Sequence, residues 1–248
     1  MGRLYLIRHA QSRNNQNWTG SDFHPDREPD PDITERGHLQ ARALAAHLAD
    51  PNGEPRQHPF LPASSSGYGL THAFCSLMSR AILTAEYVAK ACALELCAHP
   101  NVFEKYGIYE FDAARNRKGL AGPGRQYFVD RFPDLRLPDN LGEAGWWSRP
   151  AEDEAGFVDR MRDVVAEFKA WLEASDARVA LVAHGDFIDQ FINELMGVSR
   201  HSGNYNQAWV ANWAFHNTSI SRVDFVSGAQ HVVYLNRVDH LSPELISW

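Results

Sequence analysis

The chain has 248 residues, 44% hydrophobic and 22% charged, which is ordinary for a soluble globular protein and enough for a sizeable core. Its 24 basic and 31 acidic residues leave a formal charge of −7, which excludes a nucleic-acid binder that relies on a general positive field. An anionic substrate would therefore need a local cluster of positive groups. No run of 18 apolar residues is present, so no membrane span is expected, and the N-terminus enters a strand with no visible signal peptide. Cys75, Cys92 and Cys97 show neither metal-ligand nor disulfide spacing, so they read as small core residues of a cytoplasmic chain.

Leu4, Tyr5, Leu6 and Ile7 form an apolar, β-prone run that predicts a buried strand, and Arg8 and His9 follow where it should end. A polar, turn-rich stretch from Arg13 to Pro31 reads as a long loop. A helix is expected from about Ile33 or Thr34 to Pro51, capped by Thr34 or Asp32, with Leu39, Ala43, Leu44 and Leu48 as its stripe. Residues 51–70 read as a Pro/Ser/Gly-rich connector. Ala73, Phe74 and Cys75 predict a strand, 76–79 a turn with a capping serine, and 80–96 a helix. Arg80 would then sit in that helix's first turn, where an anion is favoured.

No clean period holds over 99–150. The part from Phe111 to Pro150 carries seven Lys/Arg and five Asp/Glu, a local excess of positive charge in an acidic chain. It reads as an insertion over the sheet edge, a lid. A helix is expected from Glu152 to Ala174, then a strand from Val179 to Ala183 ending in His184, Gly185 and Asp186, then a helix closing near Gly197. The layout of the first strand end is thus repeated, and Gly185 lets backbone amides approach a ligand. Two strands, Ser219–Phe225 and His231–Leu235, read as a hairpin about Gly228.

Strands alternating with helices imply an α/β fold with a mostly parallel sheet. Ligands bind such sheets at the carboxyl ends of their strands. Taken alone, Arg8 and His9 are equally an ordinary surface pair. With Arg80 and His184 at equivalent positions, the four would repel one another strongly in an empty pocket. A dianion such as a phosphoryl group resolves that repulsion.

Leu6-Ile7-Arg8-His9 resembles the signature of the histidine phosphatase superfamily, the phosphoglycerate mutase-like proteins. The likeness extends through Ile33-Thr34-Glu35-Arg36-Gly37 with Gln40-Ala41, Ser79-Arg80 with Thr84-Ala85-Glu86, and Val182-Ala183-His184-Gly185. Ala10 and Gln11 depart from it, where glycine and glutamate are common. The resemblance implies a three-layer αβα sandwich in a single domain over 1–248, with the lid at about 99–150. It implies His9 as the nucleophile, forming a phosphohistidine, and Arg8, Arg80 and His184 as holders of the phosphoryl oxygens. Asn15 and the Gly185 amide would add hydrogen bonds. Neither metal nor cofactor is implied. A proton donor is also required, and the family position falls on Glu104, with Glu110 as the alternative.

Three functions compete. The first is a phosphomonoester phosphatase on a phosphorylated small molecule. The second is a phosphoglycerate mutase-type transfer, for which Arg115, Arg117, Lys118 and Arg125 are available to bind an acidic substrate. The third is a non-catalytic module that binds a phosphoryl ligand. The other ten histidines carry no assigned role, His216 included, although it adjoins a segment the family places near its pocket. Trp146 and Trp147 either line a cleft or pack the insertion. Sugar phosphates, nucleotides, phosphorylated acids and phosphopeptides all fit as substrates.

Overall fold

Gly2–Arg8 forms the strand β1, and Leu4 to Ile7 within it are wholly buried. The computed structural model describes residues 1–21, 23–53, 67–198 and 212–248. Most of the connector expected over 51–70 therefore lies outside the described residues.

β1 is central. It pairs in parallel with β7 (Arg178–Ala183) on one side and antiparallel with β8 (Ile220–Val226) on the other. β7 pairs with β2 (His72–Cys75), β2 with β3 (Leu96–Ala98), and β3 with β6 (Leu135–Arg136), all parallel. β9 (Ala229–Arg237) closes the other edge against β8, through a turn at Ser227 and Gly228. Both turn residues take positive φ, as a type I′ hairpin demands. The seven strands run in the order β6-β3-β2-β7-β1-β8-β9.

Alternation along the strands builds two cores. Tyr5 and Ile7 of β1 and Ala180 and Val182 of β7 face α2 (Glu35–Ala49) and α3 (Ser79–Cys92). Leu4, Leu6, Val179 and Leu181 face α5 (Glu154–Glu173) and α6 (Gly185–Leu195). Each fully buried aliphatic side chain contributes roughly 1.5–3 kcal/mol, so both faces of β1 anchor the sheet from which the site grows. The chain is a three-layer α/β sandwich, as expected.

Several local expectations are corrected. The loop after Ser12 opens with a short helix, α1 (Arg13–Gln16), held by a capping box between Ser12 and Asn15. No serine caps α3: Met78 stands at its N-cap without a side-chain bond. Instead, Ser79 donates its N–H and its hydroxyl to Asp30. α3 also stops at Cys92, where Ala93 turns left-handed with φ 54°, so that Leu96 opens β3 instead of ending a helix.

The region 99–150 carries β4 (Tyr109–Phe111) paired with β5 (Arg117–Gly119), then α4 (Arg125–Arg131) and β6. Phe128, Phe132, Leu135 and Leu141 join the α2/α3 core. Part of this segment is therefore built into the sheet layer. Trp147 is buried against Met78, Phe103 and Ile108, with Trp146 beside it, so both tryptophans pack the segment.

Candidate active site

The carboxyl ends of β1 and β7 and the N-termini of α3 and α6 meet at one cavity of about 340 Å³. The backbone of His9 is fixed from two directions. Its N–H donates to the Ala183 carbonyl at 2.9 Å, and its carbonyl accepts from Asn217 Nδ2 at 3.1 Å. His9 as a whole is only 3% exposed. Its Nδ1 lies 2.7 Å from the Ala10 carbonyl oxygen. A carbonyl can only accept, so Nδ1 holds the proton and Nε2 presents a lone pair. Arg80 Nε donates to that Nε2 at 3.1 Å.

Burial, with Arg80 and Arg8 nearby, pushes the His9 pKa well below its ordinary value. The imidazole is therefore neutral at pH 7. His184 caps the start of α6 with its ring centroid 5.2 Å from that of His9. It is fully buried, and among the described residues neither ring nitrogen has a hydrogen-bond partner. Burial and Arg80 push it well below the ordinary range too. The His184 ring lies beneath the cavity surface, whereas Gly185 lines it.

Arg8 donates to the Phe215 carbonyl, and its buried Nε has no partner among the described residues. Burial lowers its pKa to about 10, which leaves it charged at neutral pH. Arg80 faces Asp30 at 3.7 Å. Burial pushes the Asp30 pKa up, against the opposing pull of Arg80 and Ser79. Thr84 completes the frame, accepting the Ala10 N–H at 3.0 Å and donating to the Arg80 carbonyl at 2.7 Å.

Glu104 reaches the same cavity from the start of the 99–150 segment. Its Oε1 accepts from the backbone N–H of Phe187 at 3.1 Å and of Lys105 at 2.9 Å. Its carboxyl thus sits over the N-terminus of α6, which favours the ionised form. Burial acts in the opposite direction and wins, with Asp186 adding to it, so the pKa rises to about 7. Glu110 lies elsewhere. It is exposed on β4 and ion-paired with Lys118 at 3.2 Å.

Asn15 lines the cavity, but its amide oxygen already accepts from Ser12 and from Asn217 Nδ2. What it can give a ligand is its amide NH₂. Arg115, Arg117, Lys118 and Arg125 do not line the cavity. The first two stack on Phe23 and Tyr106, Lys118 pairs with Glu110, and Arg125 donates to backbone carbonyls. The departures at Ala10 and Gln11 follow His9 in the chain and are buried. Gln11 is held by Thr34 and Gln40, and a β-carbon on Gly37 would come within 2.4 Å of the Gln11 carbonyl oxygen. That contact requires glycine at the start of α2.

Sequence reasoning missed Asp30, Arg27, Asn217 and Trp248. Trp248 lines the cavity and stacks on His216 at 3.7 Å. Asp30 had one signal, a carboxylate flanked on both sides by proline, Pro29 and Pro31. Asn217 had another, its place beside His216 in the segment that the resemblance puts near the pocket, and Arg27 and Trp248 had none.

Residues 4–238 match the profile of the histidine phosphatase superfamily (branch 1). The chain belongs to that superfamily. Over 227 residues it is 24% identical to the probable phosphoglycerate mutase GpmB of Serratia proteamaculans, covering 90% of this chain and 85% of that one. Among solved structures it resembles a phosphoserine phosphatase of Entamoeba histolytica in complex with phosphoserine. There the identity is 16% and the TM-score 0.60, over 98% of this chain and 100% of that one. It also resembles a mycobacterial glucosyl-3-phosphoglycerate phosphatase in complex with VO3, at 20% identity and TM-score 0.56, over 96% of this chain and 100% of that one. These structural likenesses define the fold. Among the described residues no helix is long and apolar enough to cross a membrane.

Proposed function

We propose that this chain is a phosphomonoester phosphatase that works through a phosphohistidine on His9 and needs no metal. One observation carries the reading: the Nε2 lone pair of a neutral His9 faces Arg80, in a cavity that also holds Arg8 and a Glu104 with a pKa of about 7.

In the first step the Arg80 Nε–H turns from Nε2 to a phosphoryl oxygen, the freed Nε2 lone pair attacks phosphorus, and the bond from phosphorus to the leaving oxygen breaks. Protonated Glu104 gives its proton to that oxygen. In the second step Glu104, now a carboxylate, takes a proton from water. The resulting hydroxide attacks phosphorus and the P–N bond breaks, releasing phosphate. Arg8, Arg80, the Asn15 amide and the Gly185 N–H stabilise the charge on the phosphoryl oxygens. His184 adds an N–H once that group presses against His9.

Hydrolysis is favoured over transfer by how the cavity is walled. Of the segment 99–150, only Glu104–Gly107 and Tyr109 line it. No cation from 111–150 reaches it, so among the described residues nothing from that part closes over a held product.

The test is release of phosphate from para-nitrophenyl phosphate near pH 6, with and without EDTA. His9→Ala should lower kcat on the order of 10⁴-fold or more with the melting temperature unchanged, and EDTA should change nothing. Equal rates for wild type and His9→Ala would mean a binding module instead. Efficient formation of 2-phosphoglycerate from 3-phosphoglycerate and a bisphosphoglycerate primer would mean a mutase.

A further inference from the structure

Four cationic side chains line the cavity: Arg8, Arg27, Arg80 and Lys105. Three have local partners or a place beside the nucleophile. Arg80 contacts His9 and faces Asp30. Arg8 leaves β1 next to His9. Lys105 is ion-paired with Glu154.

Arg27 differs. Among the described residues no carboxylate lies within ion-pair distance of it. It is half-buried and held mainly by two contacts with one residue, with the Phe111 ring further off at 5.7 Å. Its Nη1 donates to the Tyr109 carbonyl at 2.8 Å, and its guanidinium carbon lies 3.8 Å from the centre of the Tyr109 ring. One N–H and one face are thereby used, and the other N–H groups of the planar fork are left to bind. A guanidinium oriented by an aromatic face, with no counter-ion among the described residues, is a receptor for an oxyanion. It is also near enough to the phosphoryl end to repel Arg80.

We propose that Arg27 is a specificity residue that binds a second anionic group on the leaving-group side of the substrate. This rests on the phosphatase reading above and narrows it: the favoured substrates are phosphate esters of alcohols that themselves carry an oxyanion. Two acidic side chains share the cavity, Glu104 and Asp186. Glu104 must be protonated when the leaving group departs, so it does not oppose that charge. Asp186 is exposed in the first turn of α6 and disfavours an anion on its own side, which directs the anion toward Arg27.

The experiment compares phenyl phosphate with the ortho, meta and para carboxyphenyl phosphates, using wild type, Arg27→Met and Arg27→Lys. Wild type should prefer at least one carboxylated ester. Arg27→Met should raise KM for that ester about tenfold or more while leaving phenyl phosphate within about twofold, and Arg27→Lys should recover part of the loss. An equal loss on both kinds of ester would show that Arg27 only fastens its loop to Tyr109, which overturns the inference. So would the absence of a wild-type preference. His9-dependent turnover of phenyl phosphate reports separately on the phosphatase reading. Its absence would overturn that reading, and this inference with it.

Discussion

His9, Arg8 and His184 stand at the ends of the two strands at the middle of the sheet, whereas Trp18, Arg27, Tyr109 and Trp248 reach the cavity from peripheral segments. The first group is almost fully enclosed, with His9 at 3% exposure. The second is more open, with Trp18 at 55% and Trp248 at 57%, although Tyr109 itself is buried. At the inner end, backbone bonds such as that from His9 to Ala183 fix the side chains, and burial lowers the pKa of both histidines. At the outer end, rings and a half-buried guanidinium meet whatever is attached to the phosphate. Chemistry common to all substrates belongs at the rigid end, and discrimination among them belongs on the loops.

If that division holds, inner substitutions should affect every ester and outer ones should separate them. Glu104→Gln should have the largest effect of the three considered next, a loss on the order of 10²–10⁴ in kcat/KM for alkyl phosphates. Para-nitrophenyl phosphate should suffer less, because its leaving group departs without a proton. The pH profile carries the same signature. Burial holds the Glu104 carboxyl up to about 7, so its acid form is populated below that pH and lost above it. The wild-type kcat/KM for alkyl esters should therefore fall as pH rises through 7. That limb should be absent in Glu104→Gln, and a limb that persists would assign the proton to another group.

Asp30→Asn sharpens the comparison one layer further in. Asp30 touches no substrate in this reading, yet it holds Ser79 and faces Arg80. Misplacing Arg80 should cost about tenfold to a hundredfold in kcat/KM, equally for neutral and carboxylated leaving groups. A loss confined to carboxylated esters would blur the boundary between the two ends.

The smallest effect is a thermal one. An inner cluster of like charge should be stabilised by inorganic phosphate. At about a hundredfold excess over its Kd the gain is roughly 2.7 kcal/mol. For a chain of this size that corresponds to a rise of about 5–10 °C in Tm. Scanning calorimetry should show the rise in wild type and in Arg27→Met but not in Arg80→Met. The same rise in Arg80→Met would place the phosphate elsewhere.

The inner end was legible because its signals are local. An all-apolar run followed at once by Arg8 and His9 states both the strand and where it stops, and the run ending at His184 repeats it. The outer end was not legible. Arg27 sits in a polar, proline-rich stretch with no period, and it acquires meaning only against Tyr109, 82 residues away. The cationic excess of 111–150 pointed to the wrong residues, because those side chains stack on rings or bond to carbonyls outside the cavity. The end of α3 was misplaced because Ala93 and Leu94 continue the helical composition, and only the left-handed turn at Ala93 shows that the chain has left the helix.

The sequence by itself determined the alternation of strand and helix, the family, and the residues that stand where the central strands end. Those properties depend on periodicity and on neighbours within a few positions. Tertiary structure brought Glu104 and not Glu110 to the cavity, put Asp30 behind Arg80, fixed His9 through Asn217, and brought Arg27 and Trp248 to the cavity. Glu104 bonds to Phe187 across 83 residues, and Asn217 to His9 across 208. Such pairings follow from where crossovers and loops pack, and burial at those meeting points, more than residue type, sets which carboxyl keeps its proton.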